Sequence, residues 1–149
     1  MITGAKNMGK STMTRFLVNA LLNSYPEVAY IDADLGQSEF MPSGFVSLHR
    51  LTEPMLGPPY THLRVPYRAA FLGRISPKDD PDDYIEAFHA MAQAYRKEIA
   101  HHAVGADGWA REHGIPLVVN TQGWIKGMGL DLLLQQFNLL QPTHVGHLS

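Results

Sequence analysis

Near the amino terminus, Gly4-Ala5-Lys6-Asn7-Met8-Gly9-Lys10-Ser11-Thr12 sets two glycines, a lysine and adjacent hydroxyls at the spacing of a polyphosphate-binding loop. A polyphosphate is a concentrated anion, and the backbone N–H groups at a helix N-terminus form a ready cradle for it. Gly4 and Gly9 allow the torsions and close approach this needs. Lys10 is placed to bridge β- and γ-phosphates, and Ser11, the nearest hydroxyl, or Thr12 to ligate Mg²⁺. Downstream, Asp32 and Asp34 follow the apolar run Val28-Ala29-Tyr30-Ile31. One of them can approach a metal while the other serves as a base or a structural cap. Gln37 stands where it can orient a nucleophile or touch a phosphate. A third group, Thr121-Gln122-Gly123-Trp124, ends another apolar run. An indole there either stacks on a nucleic-acid base, a contact of about 1–3 kcal/mol, or packs under the loop as a core residue. Arg64, Arg68, Arg74, Lys78 and Lys126 flank these loops, as phosphate contacts or as solvated charges.

The elements that must position these residues alternate. Met13, Phe16, Leu17, Ala20 and Leu21 recur at helical spacing directly after the loop and predict an amphipathic helix ending near Ser24-Tyr25-Pro26. Val28 to Ile31 reads as a buried strand. Residues 41–68, rich in proline and glycine, read as a long connection crossing the sheet edge, with Phe45 to Leu48 as a short strand-like run. Ala69 to Leu72 reads as another strand. At Asp80-Pro81-Asp82-Asp83 a capping acid, a proline at the first helical position and further acids announce a helix; an acidic metal cluster explains the same residues less fully. Ile85, Phe88, Ala92, Tyr95 and Ile99 line one face of that helix, and His101-His102 end it. Ile115 to Val119 is a strand with its proline at the start, a leucine-rich helix runs from about Asp131 to Leu140, and Thr143 to Leu148 forms a last strand. Strands alternating with helices imply an α/β domain with a mainly parallel sheet and functional loops at the carboxyl ends of its strands.

Composition limits the function classes. The 149 residues suit one domain, and 45% hydrophobic with 17% charged residues describes a globular chain rather than a disordered one. A net charge of −2 confines any nucleic-acid contact to a local patch. The absence of cysteine excludes disulfides, thiolate metal sites and a cysteine nucleophile. No apolar run reaches about 18 residues, so no membrane role is expected, and a soluble intracellular protein is.

Three blocks together resemble the polynucleotide 5′-hydroxyl kinases that phosphorylate RNA ends: the Gly4 to Thr12 loop, Tyr30-Ile31-Asp32-Ala33-Asp34-Leu35-Gly36-Gln37-Ser38-Glu39-Phe40, and Val119-Asn120-Thr121-Gln122-Gly123-Trp124-Ile125-Lys126-Gly127-Met128-Gly129. The Ser38-Glu39-Phe40 run and Ser76-Pro77-Lys78-Asp79-Asp80-Pro81 ahead of Tyr84 are similar to the nucleolar branch that processes pre-ribosomal RNA. The resemblance implies a P-loop NTPase three-layer sandwich that transfers the γ-phosphate of ATP to the 5′-hydroxyl of RNA, with Mg²⁺ as cofactor. It implies that Gly4, Ala5, Lys6, Asn7, Met8, Gly9, Lys10, Ser11 and Thr12 hold the nucleotide. Lys10 would neutralise the transferring phosphate, Ser11 and Asp34 would serve the metal, Asp34 would act as general base, and Gln37 would help arrange the reacting groups. Thr121, Gly123 and Trp124 would shape the RNA side. It further implies nuclear, nucleolar localisation and a partner endonuclease.

Two departures from the family pattern accompany this likeness. Only Met1-Ile2-Thr3 precedes Gly4, and Ser149 comes before the arginine-bearing lid of such kinases. Residues 1–149 are therefore expected to form a kinase core incomplete at both ends, short of most of its first strand and of its lid. The alternative is a catalytically incomplete nucleotide-binding scaffold module. A GTPase or partitioning ATPase fits poorly, because no Asn-Lys-x-Asp run occurs and Lys6 lies one place late for the partitioning group's extra lysine.

Overall fold

The computed structural model describes residues 1–101 and 114–149, and His102 lies outside them. Six strands form one sheet in the order β4-β3-β2-β5-β1-β6: β1 (Ile2–Gly4), β2 (Val28–Asp32), β3 (Phe45–Leu51), β4 (Arg68–Phe71), β5 (Leu117–Asn120) and β6 (Gly146–Leu148). The β2–β5, β5–β1 and β1–β6 pairs are parallel, whereas β2–β3 and β3–β4 are antiparallel. The chain between Gly44 and Leu72 is thus a meander extending the sheet. The strand expected to stop at Leu48 runs on to Leu51, every residue from Ser47 to Leu51 pairing with β2.

Strand β2 shows how the layers arise. All its residues are buried, and their alternation feeds two cores. Ala29 and Ile31 pack with Tyr84, Phe88, Met91 and Leu132, from α2 (Pro81–Ala94) and α3 (Met128–Leu140). Val28 and Tyr30 pack on the other face with Val18 of α1 (Lys10–Leu22) and with Phe40, Leu51 and Met55. Helix on sheet on helices is the three-layer α/β sandwich anticipated.

The apolar face predicted for α1 is buried only in part, with Leu17 and Leu21 packed against the core. Thr14 and Val18 face the sheet, while Phe16 is 66% exposed. Thr14 satisfies its own hydroxyl by donating to Ser11 O and accepting from Tyr30 Oη, so a polar residue can be buried there. Helix α2 starts as read, with Asp80 accepting from Asp83 N at 3.1 Å and Pro81 at its first position. It continues through Tyr95–Ile99 as one wide π turn, closed by Ala100 N donating to Tyr95 O. Helix α3 begins three residues earlier than the leucine pattern, at Met128. Among the described residues, no helix is long and apolar enough to cross a membrane.

Candidate active site

Parallel strands β1, β2 and β5 deliver three loops to one end of the sheet, so residues far apart in the sequence meet there. The first loop joins β1 to α1. Gly4 (φ +145°) leaves no room for a side chain, since a Cβ would lie 2.3 Å from Leu148 O. Gly9 (φ +87°) turns the chain into the helix, and a Cβ there would meet open space. Lys6, Asn7 and Met8 are exposed, so the bend is open rather than plugged. Lys10 is buried and its Nζ donates to Ala5 O at 2.9 Å, which holds the ammonium across the mouth of the loop. Burial lowers its pKa, and the nearby Asp34 carboxylate opposes that by favouring the charged form. Ser11 is half-buried beside it and Thr12 is exposed.

In the second loop, the two acids after β2 part company. Asp32 is fully buried. Its Oδ2 accepts from Glu39 N (2.6 Å) and Ser38 Oγ (3.0 Å), and its Oδ1 from Asn120 Nδ2 (3.3 Å) and, at 3.4 Å, Asp34 N. Burial is the largest influence on its carboxyl and lifts the pKa to about 7, against the pull of the Glu39 and Ser38 donors. Enclosed in this way, Asp32 braces the loop from inside. Asp34 is half-exposed, and its Oδ1 accepts from Gly36 N and Gln37 N, both at 3.1 Å. Its backbone is fixed from below: Tyr84 Oη donates to Ala33 O at 2.8 Å, and Gln136 Nε2 donates to Tyr84 Oη at 2.8 Å. Gln37 is exposed beside Asp34 and is held there by its own amide.

The third loop follows β5. Thr121 is buried and donates to Ile2 O at 2.9 Å, tying the ends of β5 and β1 together. Gly123 presses on the first loop, for a Cβ there would lie 2.9 Å from both N and Cα of Lys6. Trp124 is half-buried and rests on Gly129, whose missing Cβ would come within 2.6 Å of the indole Cγ and Cδ2. Lys78 Nζ stands over the same ring, 5.0 Å from its centroid. Lys78 belongs to a fourth segment, 73–80, which also touches the second loop: a Cβ on Gly36 would be 3.1 Å from Ile75 O. Arg74 pairs with Asp80 and Asp83 at the other end of this segment, which leaves those acids engaged as helix cap and ion-pair partners.

Lys10, Ser11, Asp34, Gln37, Gly123 and Trp124 therefore gather on the loops at one end of the sheet. Thr121 lies beneath them with its hydroxyl committed to the backbone. A cleft of about 660 Å³ opens at the amino-terminal end of β5, lined by Met1, Tyr95, Pro116 and Thr143, and contains none of these residues. The donors present are hard oxygens, the Ser11 hydroxyl and the Asp34 carboxylate, and no cluster of three or more His, Cys, Asp or Glu side chains suited to a metal ion occurs among the described residues. That donor set fits Mg²⁺, which takes one or two protein oxygens and completes its shell with substrate phosphates and water. The supporting residues Asn120, Tyr84 and Gln136 went unassigned from the sequence. The signal for Gln136 was a glutamine in a leucine-rich helix, because a buried polar side chain must have a partner.

Known proteins resemble this chain in sequence and in fold. The family described as mRNA cleavage and polyadenylation factor CLP1 P-loop matches residues 4–149. Polynucleotide 5′-hydroxyl-kinase NOL9 of Homo sapiens is 42% identical over 145 residues, covering 97% of this chain and 18% of that protein. The corresponding kinase grc3 of Schizosaccharomyces pombe is 36% identical over 151 residues, covering 100% of this chain and 20% of that protein. The chain thus spans about a fifth of the length of these relatives. Among solved structures, the wild-type Clp1p–Pcf11p complex superimposes with a TM-score of 0.77 at 17% identity, covering 99% of this chain and 36% of that one. A second, described as an extended interface between Pcf11p and Clp1p and a structural basis for ATP loss in a point mutant, gives 0.72 at 17% identity.

Proposed function

Because this chain belongs to the CLP1 P-loop family, we propose that it is the phosphate-binding core of a polynucleotide 5′-hydroxyl kinase, which moves the γ-phosphate of ATP to the 5′-hydroxyl of RNA. The observation that carries the reading is the pairing of an open loop, spanned by the Lys10 ammonium, with the half-exposed carboxylate of Asp34 close enough to act on that ammonium. Phosphoryl transfer needs positive charge on the leaving oxygens and a carboxylate near the attacking hydroxyl.

The chain's own residues divide that work. Backbone N–H groups from Ala5 to Lys10 face the phosphates at the N-terminus of α1, and Lys10 offsets their charge. Asp34 accepts the proton of the ribose 5′-hydroxyl as that oxygen attacks the γ-phosphorus and the bond to the departing ADP breaks. The anchoring of Asp34 through Gly36 N, Gln37 N and the Ala33–Tyr84–Gln136 chain fixes its direction. Mg²⁺, when bound by Ser11 with Asp34 and the phosphates, supplies charge neutralisation at the transferring group. Trp124 offers its indole to the terminal base, with Gly123 and Thr121 setting the height of that loop. The NOL9 name of the relatives supports a place in the nucleolus, and the resemblance of the three sequence blocks extends that to pre-ribosomal RNA processing beside an endonuclease.

The test is to incubate the intact protein with labelled ATP, Mg²⁺ and RNA bearing either a 5′-hydroxyl or a 5′-phosphate. Label on the 5′-hydroxyl RNA alone is the expected result. Binding of ATP with no transfer to either RNA would overturn the kinase reading in favour of a nucleotide-dependent scaffold.

A further inference from the structure

The indole of Trp124 is not bare. Gly129 supports Cγ and Cδ2, and the Lys78 ammonium stands 5.0 Å from the ring centroid. A base that stacks on this ring must take the place of that cation. At an exposed site such a cation–π contact is weak, while base stacking on an aromatic ring is among the stronger contacts made by a single-stranded nucleic acid. The exchange therefore favours the base and leaves an ammonium beside an incoming phosphodiester.

The position of Lys78 is set by its surroundings. Pro77 is buried, Arg74 holds the 73–80 segment to Asp80 and Asp83, and Ile75 O abuts Gly36 of the Asp34 loop. The Lys78 side chain is exposed, so its ammonium can swing without unpacking its backbone. Among the described residues, its contact with the indole is the interaction found for this ammonium, in contrast to Arg68 and Arg74, which are paired with carboxylates.

We propose that Lys78 is a substrate-binding residue of this site: it caps Trp124 and passes to the first phosphodiester of the polynucleotide when the terminal base stacks. This deepens the kinase reading above and rests on it. One charge thereby does two jobs, covering the half-buried indole and rewarding a substrate that brings a phosphodiester next to its terminal base. Such a residue favours a chain over a free nucleoside.

The experiment compares wild type, Lys78→Met and Lys78→Arg of the intact protein on 5′-hydroxyl RNA, with the first linkage either a normal phosphodiester or an uncharged methylphosphonate. Lys78→Met is expected to raise KM for normal RNA about fivefold at unchanged kcat, the effect of one exposed charge contact. It should also lower the salt dependence of RNA affinity by about 0.7 in the log–log slope. Lys78→Arg should retain both, and the methylphosphonate should penalise the wild type but not Lys78→Met. In a Trp109→Phe background, quenching of Trp124 by RNA should survive in Lys78→Met, reporting an intact loop. Equal KM and slope in wild type and Lys78→Met, or an equal methylphosphonate penalty in both, would overturn the proposal alone. A wild type that neither binds nor phosphorylates 5′-hydroxyl RNA would remove the kinase reading and this proposal with it.

Discussion

Two aspartates one residue apart separate support from chemistry. Asp32 receives four donors inside the protein, and Asp34 spends one oxygen on two amides while remaining half-exposed. Alternation along a strand would have put both acids on one face; they diverge because β2 ends at Asp32 and the chain turns, with Ser38, Glu39 N and Asn120 arriving from a turn and another strand to enclose Asp32. Burial raises the Asp32 pKa to about 7 from an unfolded value near 3.9. The folded state therefore holds the extra proton, and this contribution is fully present below about pH 3.9 and lost as pH rises through about 7. His49, buried and lowered to about 3, works in the opposite sense: its contribution is present above the unfolded value near 6.5 and lost as pH falls toward 3. Urea unfolding of wild type and Asp32→Asn between pH 5 and 8 should isolate the first effect, with stability rising more, or falling less, with pH in the variant. Gly123 gives a second prediction. Its substitution by alanine drives a Cβ to 2.9 Å from Lys6 backbone atoms, an overpacking cost of about 1–3 kcal/mol, so nucleotide affinity by fluorescence titration should weaken about tenfold or more.

At the scale of elements, the loops are held by polar ties the apolar pattern does not announce. Arg15 of α1 forks onto buried Glu39 at 2.7 and 3.1 Å, and His62 Nε2 meets Glu39 Oε1 at 2.6 Å, so the helix, the Asp34 loop and the segment before β4 share one carboxylate. Replacing Glu39 by alanine strands Arg15 and His62 and should cost about 3 kcal/mol in denaturant unfolding. The same gap between pattern and packing explains α1. Its glycine-bracketed start is readable because the motif dictates backbone geometry, whereas its buried face is readable only in part: Leu17 and Leu21 pack inward as the spacing says, but Thr14, paired with Tyr30, is buried and Phe16 is exposed. The Asp80 cap was legible for the reason the α1 face was not fully so: the amide it caps, Asp83 N, lies three residues away. The β2–β3–β4 meander was only half legible, since antiparallel register rests on partners that proline- and glycine-rich sequence does not specify.

For the molecule as a whole, three parallel strands converge their loops on one end, and any ligand held there binds the folded state alone. Mg²⁺-ATP at 100 times its Kd should therefore stabilise the protein by about 2.7 kcal/mol, seen as a rise in Tm, and Lys10→Ala should abolish that rise. If Asp34 is the base facing the ribose hydroxyl, single-turnover transfer of labelled phosphate to 5′-hydroxyl RNA must separate wild type from Asp34→Asn. The variant should bind ATP nearly as the wild type does and transfer phosphate about 10²–10⁴-fold more slowly. Transfer at the wild-type rate by Asp34→Asn would contradict the claim.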